Sequence, residues 1–285
     1  VFDAVAFAGG GNRCYWQNGV WRAVADRIDL KPRLVVGASA GACQAVLALL
    51  GQGERAHDLV VDALSRGIPN IDWSRRRHTS GALFPVGAMY RDLVAEVIDD
   101  AAFHRLQSTT DLRIAVSRPP RMLPGVLAPA IGVAAYQIEK KLFHPVHPRF
   151  GRALGFRADY LAVRDMMSAG HLVDAVMASS TVPPFMPAIA IGGRRALDAG
   201  LYDNVPTDPL REIEAAGGRT LVLLSRPYRI LPQVPGRTYW QPSEPIYVGQ
   251  FDIENPEGIR FACALGLRDG ARFAQDLVAR RSSAS

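Results

Sequence analysis

The sequence predicts an α/β fold for residues 1–285, read as one domain, and three observations predict it. The first fifty residues read strand, loop, helix, strand, turn, helix. Further apolar runs of strand length, at 112–117 and 220–225, are separated by amphipathic helical stretches. No internal repeat and no convincing linker breaks the chain, so one α/β layer architecture is the economical reading.

The elements follow in order. Residues 2–8 (FDAVAFA) are a short apolar run stopped by three glycines, which suits a buried strand. Residues 16–28 carry helical periodicity. Residues 34–36 (LVV) form a second apolar strand closed by Gly37, and residues 40–50 are an Ala/Leu/Val run of helical length. Together these make a βαβ unit, which requires parallel strands and a crossover helix. Residues 56–65 and 90–99 are amphipathic helices, and 112–117 (LRIAVS) is a strand. From 118 to 157 the pattern turns irregular and is rich in Pro, Gly and apolar residues. Residues 172–179 read as a helix that ends before Pro183-Pro184. Residues 188–191 and 195–197 suggest a hairpin about Gly192-Gly193. Residues 209–216 are a helix, 220–225 (TLVLLS) a buried strand, and 256–281 a last helix. The end, 280–285, reads as a frayed tail.

Composition narrows the function classes. At 48% hydrophobic and 21% charged, the chain can bury a sizeable core. The formal charge of +6 comes with 33 basic residues, of which only Lys31, Lys140 and Lys141 are lysine. A basic surface suits nucleic acid, anionic lipid or an acidic partner. No zinc-finger spacing, RNP-like strand or basic heptad helix is present, so no nucleic-acid partner is expected. Cys14, Cys43 and Cys263 are odd in number and lack Cys-x-x-Cys spacing, which argues against a disulfide framework or a metal site and fits a reducing compartment. No apolar stretch of spanning length occurs. A cytoplasmic or peripheral-membrane protein is expected. The chain starts inside an apolar run at Val1, which leaves secretion open. Nothing in the sequence indicates an oligomeric state.

The chemistry concentrates in two small-residue turns. Gly37-Ala38-Ser39-Ala40-Gly41 matches G-x-S-x-G between a strand and a helix, the context in which that motif exposes a serine hydroxyl on a sharp turn. All four neighbours of Ser39 are Gly or Ala, so a tight turn does not clash, and the helix that follows aims its positive end at the site. Gly9-Gly10-Gly11-Asn12-Arg13 follows the first strand. Its amides could converge on a phosphate or on the oxyanion of an acyl-transfer intermediate. A dinucleotide fingerprint fails because Cys14 stands at its last glycine, and a P-loop lacks its Gly-Lys-Ser/Thr. A nucleotide-binding role is therefore disfavoured. If the first two strands are neighbours, the glycine loop and Ser39 share the carboxyl edge of the sheet, which puts oxyanion donors beside a nucleophile.

A serine nucleophile needs a base. His57, His78, His104, His144, His147 and His171 all precede the last 114 residues, and none sits in a recognisable catalytic context. A triad is disfavoured without being excluded. Asp198, in Leu197-Asp198-Ala199-Gly200, is the other candidate, since burial can raise a carboxylate toward useful basicity. Asp203, five residues on, competes with it.

Taken together these residues resemble the patatin-like phospholipase family, whose pattern is a Gly-rich oxyanion loop with a basic residue, then G-x-S-x-G, then D-G-G/A. Ala178-Ser179-Ser180-Thr181-Val182-Pro183-Pro184-Phe185 is similar to the family's A-S-S-x-x-P-x-x-F stretch, and Asn204-Val205-Pro206 to its N-x-P. The resemblance is good over 2–60 and 170–225 and poor over 66–165. It implies a three-layer α/β/α fold with a mostly parallel sheet and a Ser39–Asp198 dyad. It also implies oxyanion donors among Gly9, Gly10, Gly11, Asn12, Arg13 and Ala40, and ester hydrolysis of phospholipids or related acyl lipids. Two departures stand out: Cys14 and Ala199 occupy positions where the family has Gly.

The expected course is attack by Ser39 with Asp198 as base, an acyl-enzyme, and hydrolysis by water, with no metal or organic cofactor. Arg13 is expected to support the loop or touch a head group. Residues 118–157 are the expected lid or interfacial segment: seven basic residues and one acid flank 122–138, an almost wholly apolar stretch broken by Pro124 and Pro129. Transient contact with a membrane surface, anionic in character, follows. Trp73 and Arg75-Arg76-Arg77 read as a solvated loop that could extend this patch. The alternatives are an esterase or lipase for neutral or small soluble esters, and a catalytically inactive lipid-binding member.

Overall fold

A computed structural model describes residues 1–25, 27–72, 84–120, 127–183, 186 and 188–282, with the backbone alone at 280–282. The chain runs β1 (Ala4–Phe7), a 3₁₀ turn (Gly11–Cys14), α1 (Tyr15–Val24), β2 (Leu34–Ala38), α2 (Ala40–Leu50) and α3 (Gly53–Ser65). Next come α4 (Val86–Val97), α5 (Asp100–Thr109), β3 (Asp111–Arg118), α6 (Leu127–Phe143), α7 (Phe150–Ala153), β4 (Arg157–Ala162) and α8 (Ala169–Ser179). The rest is a small hairpin, β5 (Ile189–Ile191) and β6 (Arg194–Ala196), then α9 (Arg211–Ala215), β7 (Thr220–Leu223), β8 (Arg237–Trp240) and α10 (Pro256–Ser282). Trp73, Arg75–Arg77, His78, Met122, Pro124, Pro184, Phe185 and the last three residues lie outside the described residues.

Six strands form one sheet in the order β4-β3-β2-β1-β7-β8. All neighbours are parallel except β4, which runs antiparallel to β3 at one edge. Helices cover both faces, giving the three-layer α/β fold. The pleat sorts β1: Val5 and Phe7 join the large apolar cluster with Trp16, Val20 and Val46, while Ala4, Ala6 and Ala8 join the opposite cluster with Leu34, Val36 and Val222. Buried on both faces, β1, β2 and β7 read as continuous apolar runs. On the first face α1 and α10 meet through glycines. A methyl on Gly266 would strike the Trp16 carbonyl, and one on Gly19 the Cys263 carbonyl. This close approach explains a tryptophan side chain, Trp16, that is wholly buried and donates from Nε1 to Asp269 Oδ2 at 2.7 Å.

One sequence expectation changes. Residues 118–157 are not irregular throughout, since α6 is a 17-residue helix. Pro129 is its third residue, inside the first turn, where no backbone N–H has an intrahelical acceptor and a proline ring is tolerated. Between β3 and the β5–β6 hairpin, Ser117 and Leu197 exchange backbone hydrogen bonds of 3.0 Å in both directions. That pair carries the chain from the hairpin back to the carboxyl edge of the sheet.

Candidate active site

The turn after β2 is strained where the motif predicts it. Ser39 has φ 53 and ψ −135, a positive φ that a non-glycine residue adopts at a cost of order 1–3 kcal/mol. Its surroundings hold it there. A methyl on Gly41 would run into the Ala8 and Phe7 carbonyls, and one on Gly37 into Ala42, so both glycines are required by close approach. The Ser39 N–H donates to Ser179 Oγ at 2.7 Å, and that hydroxyl donates onward to the Ala115 carbonyl at 2.5 Å. The Ser39 carbonyl accepts from the Ala42 N–H at 2.8 Å, opening α2. The result is a hydroxyl at the positive end of an 11-residue helix.

Asp198 is delivered by the Ser117–Leu197 pair. Its N–H donates to the Thr181 carbonyl at 2.9 Å, and Ser117 Oγ donates to the Ala199 carbonyl at 3.1 Å. Its carboxylate has two donors: the Gly200 N–H reaches Oδ1 at 2.7 Å, and Ser39 Oγ reaches Oδ2 at 2.7 Å. Both side chains are buried, Ser39 at 7% and Asp198 at 8% exposure, so bulk water does not screen the contact. Burial lifts the Asp198 pKa to about 6, against the opposing pull of the hydrogen bonds from Ser39 and Gly200. A carboxylate tuned this way takes a proton more readily than an exposed one and is still ionised at neutral pH.

The competitor is placed elsewhere. Asp203 is bound at Oδ2 by His147 Nδ1 and Arg152, each at 2.8 Å, and at Oδ1 by the Val205 N–H at 2.9 Å. Among the described residues no histidine bonds to Ser39 or Asp198. His57 pairs with Asp58 at 2.9 Å, and His147 reaches Tyr239 with its other nitrogen at 3.1 Å.

The glycine loop lies against this pair, since a methyl on Gly9 would sit 2.8 Å from Ser39 Cβ. Not all of the expected donors are free. The Gly9 N–H is committed to the Asn204 carbonyl at 2.8 Å and the Asn12 N–H to the Gln250 carbonyl at 3.1 Å. Those two amides leave the expected oxyanion set, because a hydrogen already given to a carbonyl does not serve a substrate. Asn12 clamps the loop instead, donating from Nδ2 to the Asp252 carbonyl at 2.6 Å. The carbonyls of the loop are also fixed. Gly9 O accepts from Asn204 Nδ2 at 2.7 Å and Ser225 Oγ at 2.6 Å, and Gly10 O accepts from Arg13 Nε at 3.3 Å. In a trans peptide the N–H points opposite its C=O. Holding these carbonyls therefore aims the Gly10 and Gly11 amides away from Asn204, Ser225 and Arg13. Arg13 is thus placed to support the loop.

The two departures from the family pattern are harmless in place. Cys14 has φ −67 and Ala199 lies in a 3₁₀ turn with no positive φ, so neither position needs glycine. The Ala199 methyl packs with Ala38 and Ala115, and the Cys14 thiol points at the Ala8 carbonyl at 3.4 Å.

Beside Ser39 an apolar pocket of about 70 Å³ opens between α2, α3 and α4, walled by Tyr15, Cys43, Val60, Tyr90 and Leu93. The same five residues wall a second pocket of about 30 Å³ that leads on to Val94, Val97 and Ile98. A much larger cavity, about 910 Å³, lies away from the serine, between Phe143 and Phe150 on one side and Arg237 and Tyr239 on the other. Size alone would point to it, but neither Ser39 nor Asp198 lines it. Among the described residues no cluster of three or more His, Cys, Asp or Glu side chains is placed to hold a metal ion.

Ser179, Ser117, Asn204 and Ser225 were not assigned roles from sequence. Ser179 and Asn204 fall in the A-S-S and N-x-P stretches, so their position carried a signal although their bonds did not. Ser117, the penultimate residue of β3, and Ser225, just beyond β7, carried none.

A comparison with curated proteins returns no match. Among solved structures, VipD from Legionella pneumophila is similar over 96% of this chain and 67% of its own, at 11% identity and a TM-score of 0.45. The sequence profile of the patatin-like phospholipase family matches residues 5–211, which takes in the glycine loop, the serine turn and Asp198. The chain belongs to the patatin-like phospholipase family.

Proposed function

We propose that this chain hydrolyses the ester bonds of phospholipids or related acyl lipids through Ser39 and Asp198, by way of a covalent acyl-enzyme. The observation that carries this reading is the 2.7 Å contact between Ser39 Oγ and Asp198 Oδ2, made by a serine at positive φ and a buried carboxylate raised to about 6. Asp198 accepts the Ser39 proton as Oγ attacks the ester carbonyl. The amides of Gly10, Gly11 and Ala40 receive the oxyanion, aided by the α2 terminus. Collapse breaks the ester C–O bond, and Asp198 returns the proton to the departing alkoxide. Water then attacks the acyl-enzyme with Asp198 again as base. The apolar pocket between α2, α3 and α4 receives the start of the acyl chain.

The route from a membrane runs over α6, within a single unit of residues 1–285. Leu127, Ile138, Leu142 and Phe143 are exposed on it, with Phe150 and Leu154 nearby and Lys141 and Arg149 among them. Apolar side chains flanked by cations suit transient docking on an anionic bilayer. Leu142→Ser with Phe143→Ser should reduce co-sedimentation with phosphatidylserine vesicles; unchanged co-sedimentation removes this surface from the proposal.

The decisive experiment is labelling by a fluorophosphonate of wild type, Ser39→Ala and Asp198→Asn, each checked for folding by circular dichroism. Wild type alone should label. Labelling that survives in Ser39→Ala would show that another nucleophile reacts.

A further inference from the structure

Two hydroxyls beside Ser39 lack the partners that other buried hydroxyls in the molecule have. Ser117, Ser179 and Ser225 are buried, and they donate to the backbone carbonyls of Ala199, Ala115 and Gly9. Ser180 Oγ and Tyr90 Oη are buried as well, yet among the described residues neither completes a hydrogen bond. A buried polar atom left unmatched is costly, and in a folded protein it calls for a partner from outside the chain. Both hydroxyls stand at the acyl side of the site. Ser180 follows Ser179, whose Oγ holds the Ser39 N–H at 2.7 Å, and Ser180 and Tyr90 both line the apolar pocket beside Ser39. Tyr90 comes from α4, and its hydroxyl lies beside Ser180 and the Cys43 thiol. Cys43 follows Ser39 by four residues, about 6 Å along α2, so this group stands one helical turn from the nucleophile. A thiol is too weak a partner to satisfy either hydroxyl.

The surroundings say what kind of partner fits. Among the described residues no charged side chain lines the pocket beside Ser39. A carboxylate or phosphate there would be buried without a counter-ion, so the partner is a neutral oxygen. Burial pushes the Tyr90 phenol well above its ordinary pKa, so it keeps its proton and can donate. Two hydroxyls side by side suit one acceptor oxygen with two lone pairs, as in a ketone. Tyr90 and Cys43 also line the second pocket, which runs on to Val94, Val97 and Ile98. The slot is thus polar partway along and apolar again at its end, the pattern of a chain that carries an oxygen in its middle.

We propose that Tyr90 and Ser180 form a recognition point for oxygenated acyl chains: the two hydroxyls bind a neutral oxygen, keto or hydroxyl, a few carbons from the ester carbonyl that faces Ser39. This rests on the acyl-hydrolase reading and makes an oxidised acyl chain preferred over the plain one.

The test has two arms, with every variant checked for folding by circular dichroism. In the first, kcat/KM is measured on p-nitrophenyl heptanoate and on its keto counterparts, oxidised at the fourth, fifth or sixth carbon. Ketones are used because a hydroxyl at these carbons would attack its own ester. In wild type at least one keto ester should exceed the plain ester by about tenfold, and the advantage should shrink to within about twofold in Tyr90→Phe with Ser180→Ala. No advantage in wild type overturns the proposal and leaves water as the partner of the two hydroxyls. A variant that slows both esters alike and keeps their ratio marks the hydroxyls as structural and overturns it too. In the second arm, the plain and keto methyl heptanoates are titrated into the Ser39→Ala protein and followed by ligand-observed NMR. The keto ester should bind about tenfold more tightly, and the two should bind alike once the hydroxyls are removed. Equal binding with the hydroxyls present overturns the recognition point. Wild type that turns over no ester and takes no fluorophosphonate would sink the hydrolase reading, and the binding comparison would still decide whether Tyr90 and Ser180 recognise the oxygen.

Discussion

Two aspartates five residues apart, Asp198 and Asp203, are both almost fully buried and yet serve opposite purposes. Asp203 is surrounded by charge: His147 and Arg152 share one oxygen and the Val205 amide takes the other. Among the described residues Asp198 has no cation on its carboxylate, only the Ser39 hydroxyl and the Gly200 amide. Burial raises both carboxyls, but at Asp203 His147 and Arg152 pull back toward the ionised form, while at Asp198 only two neutral donors do so. Burial makes a carboxylate costly in either case, and its neighbours decide the use. A carboxylate with cationic partners is a tie in the structure. One with only neutral donors can accept a proton from the nearest of them.

The comparison is broken most forcefully by exchanging each aspartate for asparagine. Asp198→Asn should lower kcat/KM on a lipid ester by about 10³–10⁴-fold, since the amide keeps the shape and loses the base. It should also stabilise the protein. Asparagine can still accept from Gly200 and can donate to Ser39, and the buried charge is gone. A rise from the ordinary carboxylate range to about 6 corresponds to roughly 3 kcal/mol of penalty at pH 8. Because the folded pKa is the higher one, Asp198 favours folding below about pH 4 and loses that contribution as pH rises through about 6. The gain in melting temperature should therefore be several degrees at pH 8 and fade toward pH 4. Asp203→Asn should do the reverse. It strips His147 and Arg152 of their shared partner and should destabilise by roughly 2–4 kcal/mol in urea. The fraction that stays folded should keep its kcat/KM within about threefold. If the two variants behave alike, the distinction between them is mistaken.

A gentler probe is pH. Only ionised Asp198 can take the proton, so kcat/KM should fall about tenfold for each pH unit below about 6. The limb should stay in place in Asp203→Asn. A limb displaced by that change would mean that Asp203 sets the basicity of the site.

Much of this contrast was legible in the sequence, and the illegible part has a physical cause. Strands β1, β2 and β7 announced themselves because two buried faces demand unbroken apolar runs. The edge strands β4 and β8 did not. RADYLA and RTYW are half-exposed, so polar residues interrupt any period. Helix α6 was hidden by Pro129, which reads as a breaker unless its place in the first turn is known. At the site, Ser39 and the three glycines were legible because only small residues fit a turn that tight. Asp198 could be preferred over Asp203 only through resemblance to a family, since an Asp in a turn is common and the two stand five residues apart. What separates them is His147 and Arg152, about fifty residues away in sequence and adjacent only after folding.

The positioning of Ser39 gives a smaller expected effect. Ser179 accepts the Ser39 N–H and donates to Ala115, tying the strained turn to β3. Ser179→Ala leaves that N–H without a partner in a buried place, at a cost of about 1–3 kcal/mol. Part of this should appear as a fall of roughly tenfold in kcat with KM little changed, because the apolar pocket is untouched. Equal losses from Ser179→Ala and from a remote core change of the same stability cost would reduce Ser179 to a packing residue.

The smallest effect expected is at Ala199, next to the base. The family places Gly there, which would matter if the backbone needed a left-handed conformation. It does not: Ala199 opens a 3₁₀ turn, is buried and packs its methyl against Ala38 and Ala115. Ala199→Gly should therefore cost roughly 0.5–1 kcal/mol of stability, from the freer unfolded chain and the lost methyl contact. The Gly200 amide and the Ser39 hydroxyl still reach Asp198, so kcat/KM should stay within about twofold. A large gain in rate from the glycine would show that Ala199 restrains Asp198 away from its best approach to Ser39, and that the 2.7 Å contact is a resting geometry, not the reactive one.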